Sequence, residues 1–503
     1  MPRDVAPARI RADLQRLALR FDCVRTYSVA HGLDRVPAIA REVGLEVLLG
    51  AWIGGDPLLN EVEIKRVIAV ARAERDVLRG VVVGNEVLLR HEMPPDQLAA
   101  LILRVRAATG LPVTYADVWG YWVRHRAVSS AVSFVTVHII PYWDDDPVGI
   151  DEVIPYVDRL YTEMQRTFPG KRVLIGETGW PSVGRPRGAN APGRVNQARY
   201  VREFTQLAAA RNIPYNLIEA FDQPWKRTPE GTVGGYWGLD DPQGHAKFPL
   251  TGPVEEVPGG QRVFWLAIVC GAAAALFALA TCRTRRSWTA CVVGAAGLLT
   301  PAILLRQVDY LHWGNTNAVD WVATLAVAAT GWTLWVCGMW QAWLASRAGP
   351  EAARVQTVPS GVITPLRQWR AGNRRFDASL CTGLLRGFVL LSAAYVSFGL
   401  VFAGRHRDFP VWLFLPAVLA LVVGALEKSR AYGRGLRADD AVEEMMLASW
   451  LALAALLVPW LEDFANLPSL AWGLSVLGLG LTVLLPIGLQ AGAQQQSAEH
   501  ADA

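Results

Sequence analysis

In the first half of the chain, short apolar runs rich in β-branched residues alternate with polar or Gly/Pro-containing loops and then with stretches of helical periodicity. The runs are CVRTYS (23–28), EVLLGAWI (46–53), GVVVGNEVL (80–88), PVTYADVW (112–119), VTVHIIPYW (135–143), VLIGETGWP (173–181) and YNLIEAFDQPW (215–225). Helical patterns occupy 60–78, 95–108 and 195–211, and the opening MPRDVAPARIRADLQRLALR reads as an amphipathic helix. Strand–helix alternation predicts parallel strands joined by crossover helices, and near-continuous apolar strands predict a sheet buried on both faces. A repeat of roughly 30 residues suits an α/β fold of the (β/α)8 barrel kind. The competing fold is an open doubly wound sheet, but the glycine-rich phosphate turn it favours after an early strand is missing.

The pattern changes after residue 262. Residues 263–503 hold 17 Lys+Arg and 14 Asp+Glu, against 32 and 31 in residues 1–262. Seven apolar stretches follow one another: 263–282, 288–305, 319–344, 380–403, 410–426, 446–461 and 470–489. Each approaches the length of about 20 residues that a membrane helix needs. The chain is therefore expected to divide into a barrel domain (1–257), an all-α domain of about seven spans (258–490) and a disordered polar tail (491–503). Thirteen basic residues fall in one set of alternate loops and three in the other. Basic loops stay cytoplasmic, so this bias predicts an inner-membrane protein with residues 1–262 outside and the C-terminus inside. Arg386 is expected to snorkel to the interface, and tryptophans near span ends to anchor there. The scarcity of charge within the spans argues against a transporter.

Composition excludes a wholly soluble protein, a disordered chain and a small disulfide scaffold. The net charge of +4 is too modest and too dispersed for nucleic acid. Only Cys23 of the six cysteines lies in the first half, and no Cys/His spacing suits a metal. No metal and no cofactor is expected.

The predicted strands end in polar or aromatic residues: Arg25 and Tyr27, Trp52, Asn85 and Glu86, Asp117, His138 through Tyr142, Glu177 and Trp180, then Glu219, Asp222, Trp225 and Lys226. In a barrel these ends ring one mouth, where the active sites of that fold sit. Glu86 and Glu177 each follow an apolar strand, where poor solvation should raise a carboxyl pKa and suit general-acid work. Two such glutamates among tryptophans suit glycoside hydrolysis by a carboxylate pair. Sugar C–H faces stack on rings, and sugar hydroxyls need polar partners. Arg25, Tyr27, Trp52, Asn85, His138, Tyr142, Trp180, Glu219, Asp222, Trp225 and Lys226 are the candidates for those contacts.

GNE at 84–86 and GETGWPS at 176–182 resemble glycoside hydrolase family 17. PYW at 141–143, FDQPWK at 221–226, YWGL at 236–239 and KFPLTGP at 247–253 resemble its bacterial members. The resemblance runs over about residues 8–255. It implies a retaining mechanism on β-1,3-glucan, with Glu86 as acid/base, Glu177 as nucleophile and Asn85 holding the sugar beside the cleaved bond. Membrane-bound relatives resemble β-glucan transglycosylases that make or branch β-1,3/β-1,6-glucan. The implied partners are a β-glucan, membrane lipid and, as an open matter, a glucan synthase. A glucan-binding or sensing protein on the same scaffold is the alternative.

The family's barrel begins with a strand before its first helix, whereas this chain begins in that helix. CVRTYS would then be the second strand, with Glu86 on the fourth and Glu177 on the seventh. An exported domain also lacks an apolar leader here. One expectation covers both points: an upstream segment holding an export signal or anchor and a short strand, with runs 23–28 and 215–225 flanking a slot.

Overall fold

The computed structural model describes residues 4–283, 286–348, 378–429 and 442–501. The chain divides into two units. One comprises Met1–Ser182, Ala189–Pro224 and Val233–Val254; the other comprises Val183–Gly188, Trp225–Thr232 and Glu255–Ala503.

Seven strands of the first unit pair in parallel and in sequence order: β1 (Cys23–Arg25), β2 (Glu46–Ala51), β3 (Leu78–Asn85), β4 (Val113–Val118), β5 (Val135–His138), β6 (Val173–Thr178) and β7 (Tyr215–Leu217). The connecting helices include α1 (Pro7–Leu17), α2 (Val36–Val43), α3 (Pro57–Ala73), α4 (Pro95–Thr109), α5 (Trp119–Arg124), α6 (Val153–Thr167) and α7 (Arg194–Arg211). The sheet curls into a nearly closed barrel. Each of the seven runs of the first half holds a strand, and its polar residues sit at the strand's end or just beyond it: Arg25, Asn85, His138 and Glu177 lie within their strands, whereas Glu86 follows β3. Apolar side chains facing the helices, such as Val47, Leu49, Val81, Val83, Val135 and Val137, form the main core. Leu48, Val82, Ala116 and Leu174, with Phe134 against them, make a separate, smaller cluster from alternate positions of four strands.

β1 and β7 are the two edges of the sheet and do not pair with each other. Residues 4–8 supply no strand between them: Val5 N–H donates to His31 O at 2.9 Å, and α1 begins at Pro7. The seam is bridged instead by the segment after residue 238. Arg20 makes a two-pronged ion pair with Asp240, at 2.9 and 2.6 Å, and Arg16 donates to Gln243 O at 2.9 Å. Phe21, Leu217 and Val254 pack there against Ala198, Val201, Leu239 and Phe248. An unpaired strand edge is a liability, and this apolar patch with its ion pair limits it.

In the second unit, six helices among the described residues are long and apolar enough to cross a membrane: Gly260–Thr281, Ser287–Gly314, Ala318–Leu344, Cys381–Phe402, Val442–Glu462 and Leu467–Leu484. They fit a multi-pass membrane protein. The fifth expected span, 410–426, corresponds to a shorter apolar helix, Val411–Ala425. The last helix extends over Leu467–Ala501, through most of the stretch expected to be a disordered tail. Arg386 does not reach outward as expected. Its guanidinium donates to Thr482 O at 3.3 Å and lies 3.5 Å from the fully buried Glu444 carboxylate. In an apolar bundle an arginine paired with a carboxylate need not reach the interface. Trp332 and Trp450 likewise donate their indole N–H groups to Gln307 and to Ala394 O within the helices. Most of the basic residues behind the expected orientation, in 349–377 and 430–441, lie outside the described residues.

The seam clasp makes a prediction. Arg20→Ala strips a buried carboxylate of its charged hydrogen-bond partner, which costs about 2 kcal/mol. Thermal unfolding of the barrel in the detergent-solubilised chain should show a clear drop in midpoint. Arg20→Lys should recover only part of it, because an ammonium cannot grip both Asp240 oxygens. An unchanged midpoint in Arg20→Ala would show that the clasp holds nothing.

Candidate active site

The polar strand ends meet at one mouth of the barrel. Glu177 lies within β6 and is almost fully buried. It follows Gly176, where a Cβ would meet Thr136 and stand 3.2 Å from both Arg25 Nη1 and the His138 ring. Glycine there lets Arg25 and His138 close on the carboxylate. Glu86 directly follows β3, with its N–H donating to Ala116 O at 2.8 Å. Its φ of 54° lies in the left-handed region, which few non-glycine residues occupy.

His138, at the end of β5, is completely buried between the two glutamates. Its Nδ1 is 2.8 Å from Glu86 Oε1, and its Nε2 is 3.5 Å from Glu177 Oε1. One carboxylate oxygen of each glutamate and one imidazole nitrogen all lie within 4.8 Å of one another. Such a trio could hold a metal ion, but the Glu177 oxygen is already engaged. Tyr27 donates its hydroxyl to it at 2.8 Å, and the Arg25 cation stands 3.4 Å away. A neighbouring guanidinium disfavours a second cation.

Arg25 is a brace. It donates to Asn85 Oδ1 at 2.6 Å and to Gly176 O at 2.8 Å, and its guanidinium lies over the Tyr27 ring. It thereby ties β1 to β3 and β6. Burial and the negative charge of Glu177 push the Tyr27 hydroxyl well above its usual range, so it remains a donor. Burial alone would raise the Glu86 carboxyl, as the sequence suggests. The His138 hydrogen bond and charge, with the Arg90 and Arg25 cations, outweigh it and hold Glu86 below the usual range. The rise expected from burial is thus reversed by these neighbours.

The remaining candidates separate. Trp52 is 44% exposed and has the Arg90 guanidinium over one face, 4.5 Å from the ring centroid. Arg90 also donates to Asn85 O and Ile53 O. Glu219 follows β7, and its charge acts on Tyr27. Trp180 and Tyr142 are enclosed, and neither offers a ring face to a sugar. Trp180 donates to Ala191 O and lies beside Tyr200; Tyr142 packs edge-on to Trp143 and Trp237. Asp222 is also enclosed and accepts from Gly238 N–H and Lys247 Nζ, both at 2.8 Å. Lys247 reaches Ser182 Oγ at 2.7 Å as well. Ser182, Asp222 and Lys247, one from each of three motifs, therefore meet in a latch, not on a sugar. Burial pushes the Asp222 carboxyl up to about 6, against the opposing charge of Lys247. Trp225 and Lys226 belong to the second unit.

Residues that the sequence did not single out are Arg90, four residues after Glu86, and Glu63, whose Oε1 accepts from the Val29 and Trp52 N–H groups. Tyr115 had no signal either, and Asp117 only its place at a strand end.

The model of the BtgE/BtgC glycoside hydrolase domain matches residues 5–238. The protein named "Probable beta-glucosidase btgE" of Aspergillus fumigatus is 28% identical over 230 residues, covering 44% of this chain and 40% of that protein. The chain thus spans well under half the length of this relative. The "Glucan 1,3-beta-glucosidase" of Schizosaccharomyces pombe is 28% identical over 249 residues, 45% of this chain and 75% of that protein. A solved glycoside hydrolase family 17 β-1,3-glucanosyltransferase from Rhizomucor miehei aligns at 26% identity over 48% of this chain and 90% of that one, with a TM-score of 0.44. These relatives are fungal. The family model and the barrel with its close pair of glutamates make residues 5–238 similar to glycoside hydrolase domains of the BtgE/BtgC type.

Proposed function

We propose that the chain is a retaining β-glucan-active enzyme held at a membrane, which cleaves β-1,3-glucan and passes the glycosyl unit to water or to a sugar hydroxyl. One observation carries this reading: glutamates from two non-adjacent strands bring carboxylate oxygens within 4.8 Å of each other across the barrel mouth. Retaining enzymes hold their pair about 5–5.5 Å apart, whereas inverting ones leave about 6.5–9.5 Å for a water. The names of the relatives, a glucan 1,3-beta-glucosidase among them, agree with the substrate class.

In this mechanism Glu177 attacks the anomeric carbon. It is aimed by the Tyr27 hydroxyl and balanced by Arg25. Glu86 gives its proton to the glycosidic oxygen, and the aglycone departs. A covalent glycosyl ester on Glu177 remains. Glu86, now a carboxylate, takes a proton from water or from an acceptor hydroxyl. That nucleophile displaces Glu177 with a second inversion, so configuration is retained. Asn85, whose Oδ1 is taken by Arg25, offers its amide N–H groups to the sugar. The exposed face of Trp52 offers a stacking platform. His138 and Arg25 work as supports for the pair rather than as sugar contacts.

Glu177→Gln should abolish glycosyl-enzyme formation. Glu86→Ala should cut turnover of laminari-oligosaccharides by about 10²–10⁴-fold, while aryl glycosides with good leaving groups stay partly reactive. NMR of the products from a defined β-1,3-oligosaccharide reads both the anomeric outcome and the share of transfer. Inverted products would defeat the assignment.

The pH profile gives an independent measurement. The basic limb of kcat/KM follows the acid that must be protonated in the free enzyme. His138 holds that carboxyl down. Removing it in His138→Ala takes away a lowering influence, so the basic limb should move to higher pH. A limb that stays or moves down would refute this role of His138. Orientation is tested separately. The bias of basic loops puts residues 1–262 outside the cytoplasm, and a reporter fused near Gly260 that signals from the cytoplasm would reverse it.

A further inference from the structure

The left-handed backbone of Glu86 needs something to hold it, because a non-glycine residue stays in that region only where its surroundings fix it. Two links to β4 do so. Glu86 N–H donates to Ala116 O at 2.8 Å, as a continuation of the ladder. Two residues on, Leu88 N–H donates to the Tyr115 hydroxyl at 2.9 Å. That second link depends on a side chain, the Tyr115 hydroxyl. The Tyr115 hydroxyl has one proton to give, and it gives it to Asp117 Oδ2. Its lone pairs thereby face Leu88. Asp117 Oδ1 is fixed in turn by Val118 N–H at 2.8 Å. Tyr115 and Asp117 are both buried, and the Tyr115 ring is set against Trp122 with centroids 5.6 Å apart.

Asp117 is a costly residue to enclose. Burial pushes its carboxyl up to about 6 even with hydrogen bonds from Tyr115 and Val118. Among the described residues it makes no ion pair, yet it feels the charges of His138 and Glu86. A phenylalanine in place of Tyr115 would fill the same space without needing that acid. The pair spends stability on the direction of one hydrogen bond, and that bond lands on the turn carrying Glu86.

We propose that Tyr115 and Asp117 are positioning residues for the reaction, their hydrogen-bonded chain to Leu88 fixing the turn that aims the Glu86 carboxyl at the leaving oxygen. This rests on the reading of Glu86 as acid/base. Neither residue reaches the sugar, so binding should be spared. The loss should fall on proton donation, where small displacements of a catalytic group are expensive in rate.

The test uses the full chain in detergent and compares kcat/KM on a laminari-oligosaccharide with that on a dinitrophenyl β-laminarioligoside, whose leaving group needs no proton. Tyr115→Phe should lower kcat/KM on the oligosaccharide by about 10- to 100-fold through kcat, with KM unchanged. On the dinitrophenyl substrate it should change kcat/KM by less than about threefold. Asp117→Asn keeps one acceptor oxygen, which can turn to the tyrosine proton at the cost of the Val118 N–H, and should lose less than Asp117→Ala, which should behave like Tyr115→Phe. If Tyr115→Phe does not fold, the contrast between Asp117→Asn and Asp117→Ala decides the matter. An equal loss on both substrates, or no loss, in a folded variant overturns the proposal. Glu86→Gln separates the two levels. If it spares the dinitrophenyl substrate while Tyr115→Phe does not, the positioning role falls alone. If Glu86→Gln depresses both substrates equally, the acid assignment falls and this proposal with it.

Discussion

Two carboxylates a few ångströms apart repel each other, and the mouth of this barrel is organised around keeping both there. One cation is set into the floor beside them. Arg25 is almost fully buried and divides its donors among Glu177, Gly176 O and Asn85. An imidazole stands between the acids, and the Tyr27 hydroxyl holds Glu177. Buried charge is tolerable only when paired and hydrogen-bonded, so each of these partners is required for the pair to exist at all. The glycine before Glu177 follows from the same demand, since a side chain there would push Arg25 and His138 off the carboxylate.

The strands were legible from the sequence because their signal is local. Seven β-branched runs are seven strands, and the alternation with helices fixes parallel order. The two glutamates were legible because each ends an apolar run. What the other strand-end residues do was not, because their partners lie far along the chain. Asp222 looks like a sugar contact until Lys247 and Gly238 are seen to occupy its carboxylate. Trp180 looks like a platform, but its indole is turned into the core against Tyr200. An aromatic residue at a strand end is equally suited to either face, and no spacing rule distinguishes them. The pKa of Glu86 failed for the same reason. Strand position predicts desolvation, but only the fold reveals that His138 opposes it.

The apolar half followed a similar division. Mean composition suffices to locate helices of membrane length. It does not reveal that Arg386 has a buried partner 58 positions away in Glu444. Such a pair costs desolvation and returns specificity at best, and its members are individually unremarkable in sequence.

β1 is three residues long and has a neighbour on one side only. It carries Arg25, the cation paired with Glu177. The chemistry is thus anchored to the margin of the sheet rather than to its middle. Proteins open locally at free energies below that of global unfolding, and edges open first. The working geometry of the pair therefore has the lifetime of the seam between β1 and β7, not the lifetime of the core. A barrel that is still folded by every bulk measure can already have let go of the cation beside Glu177.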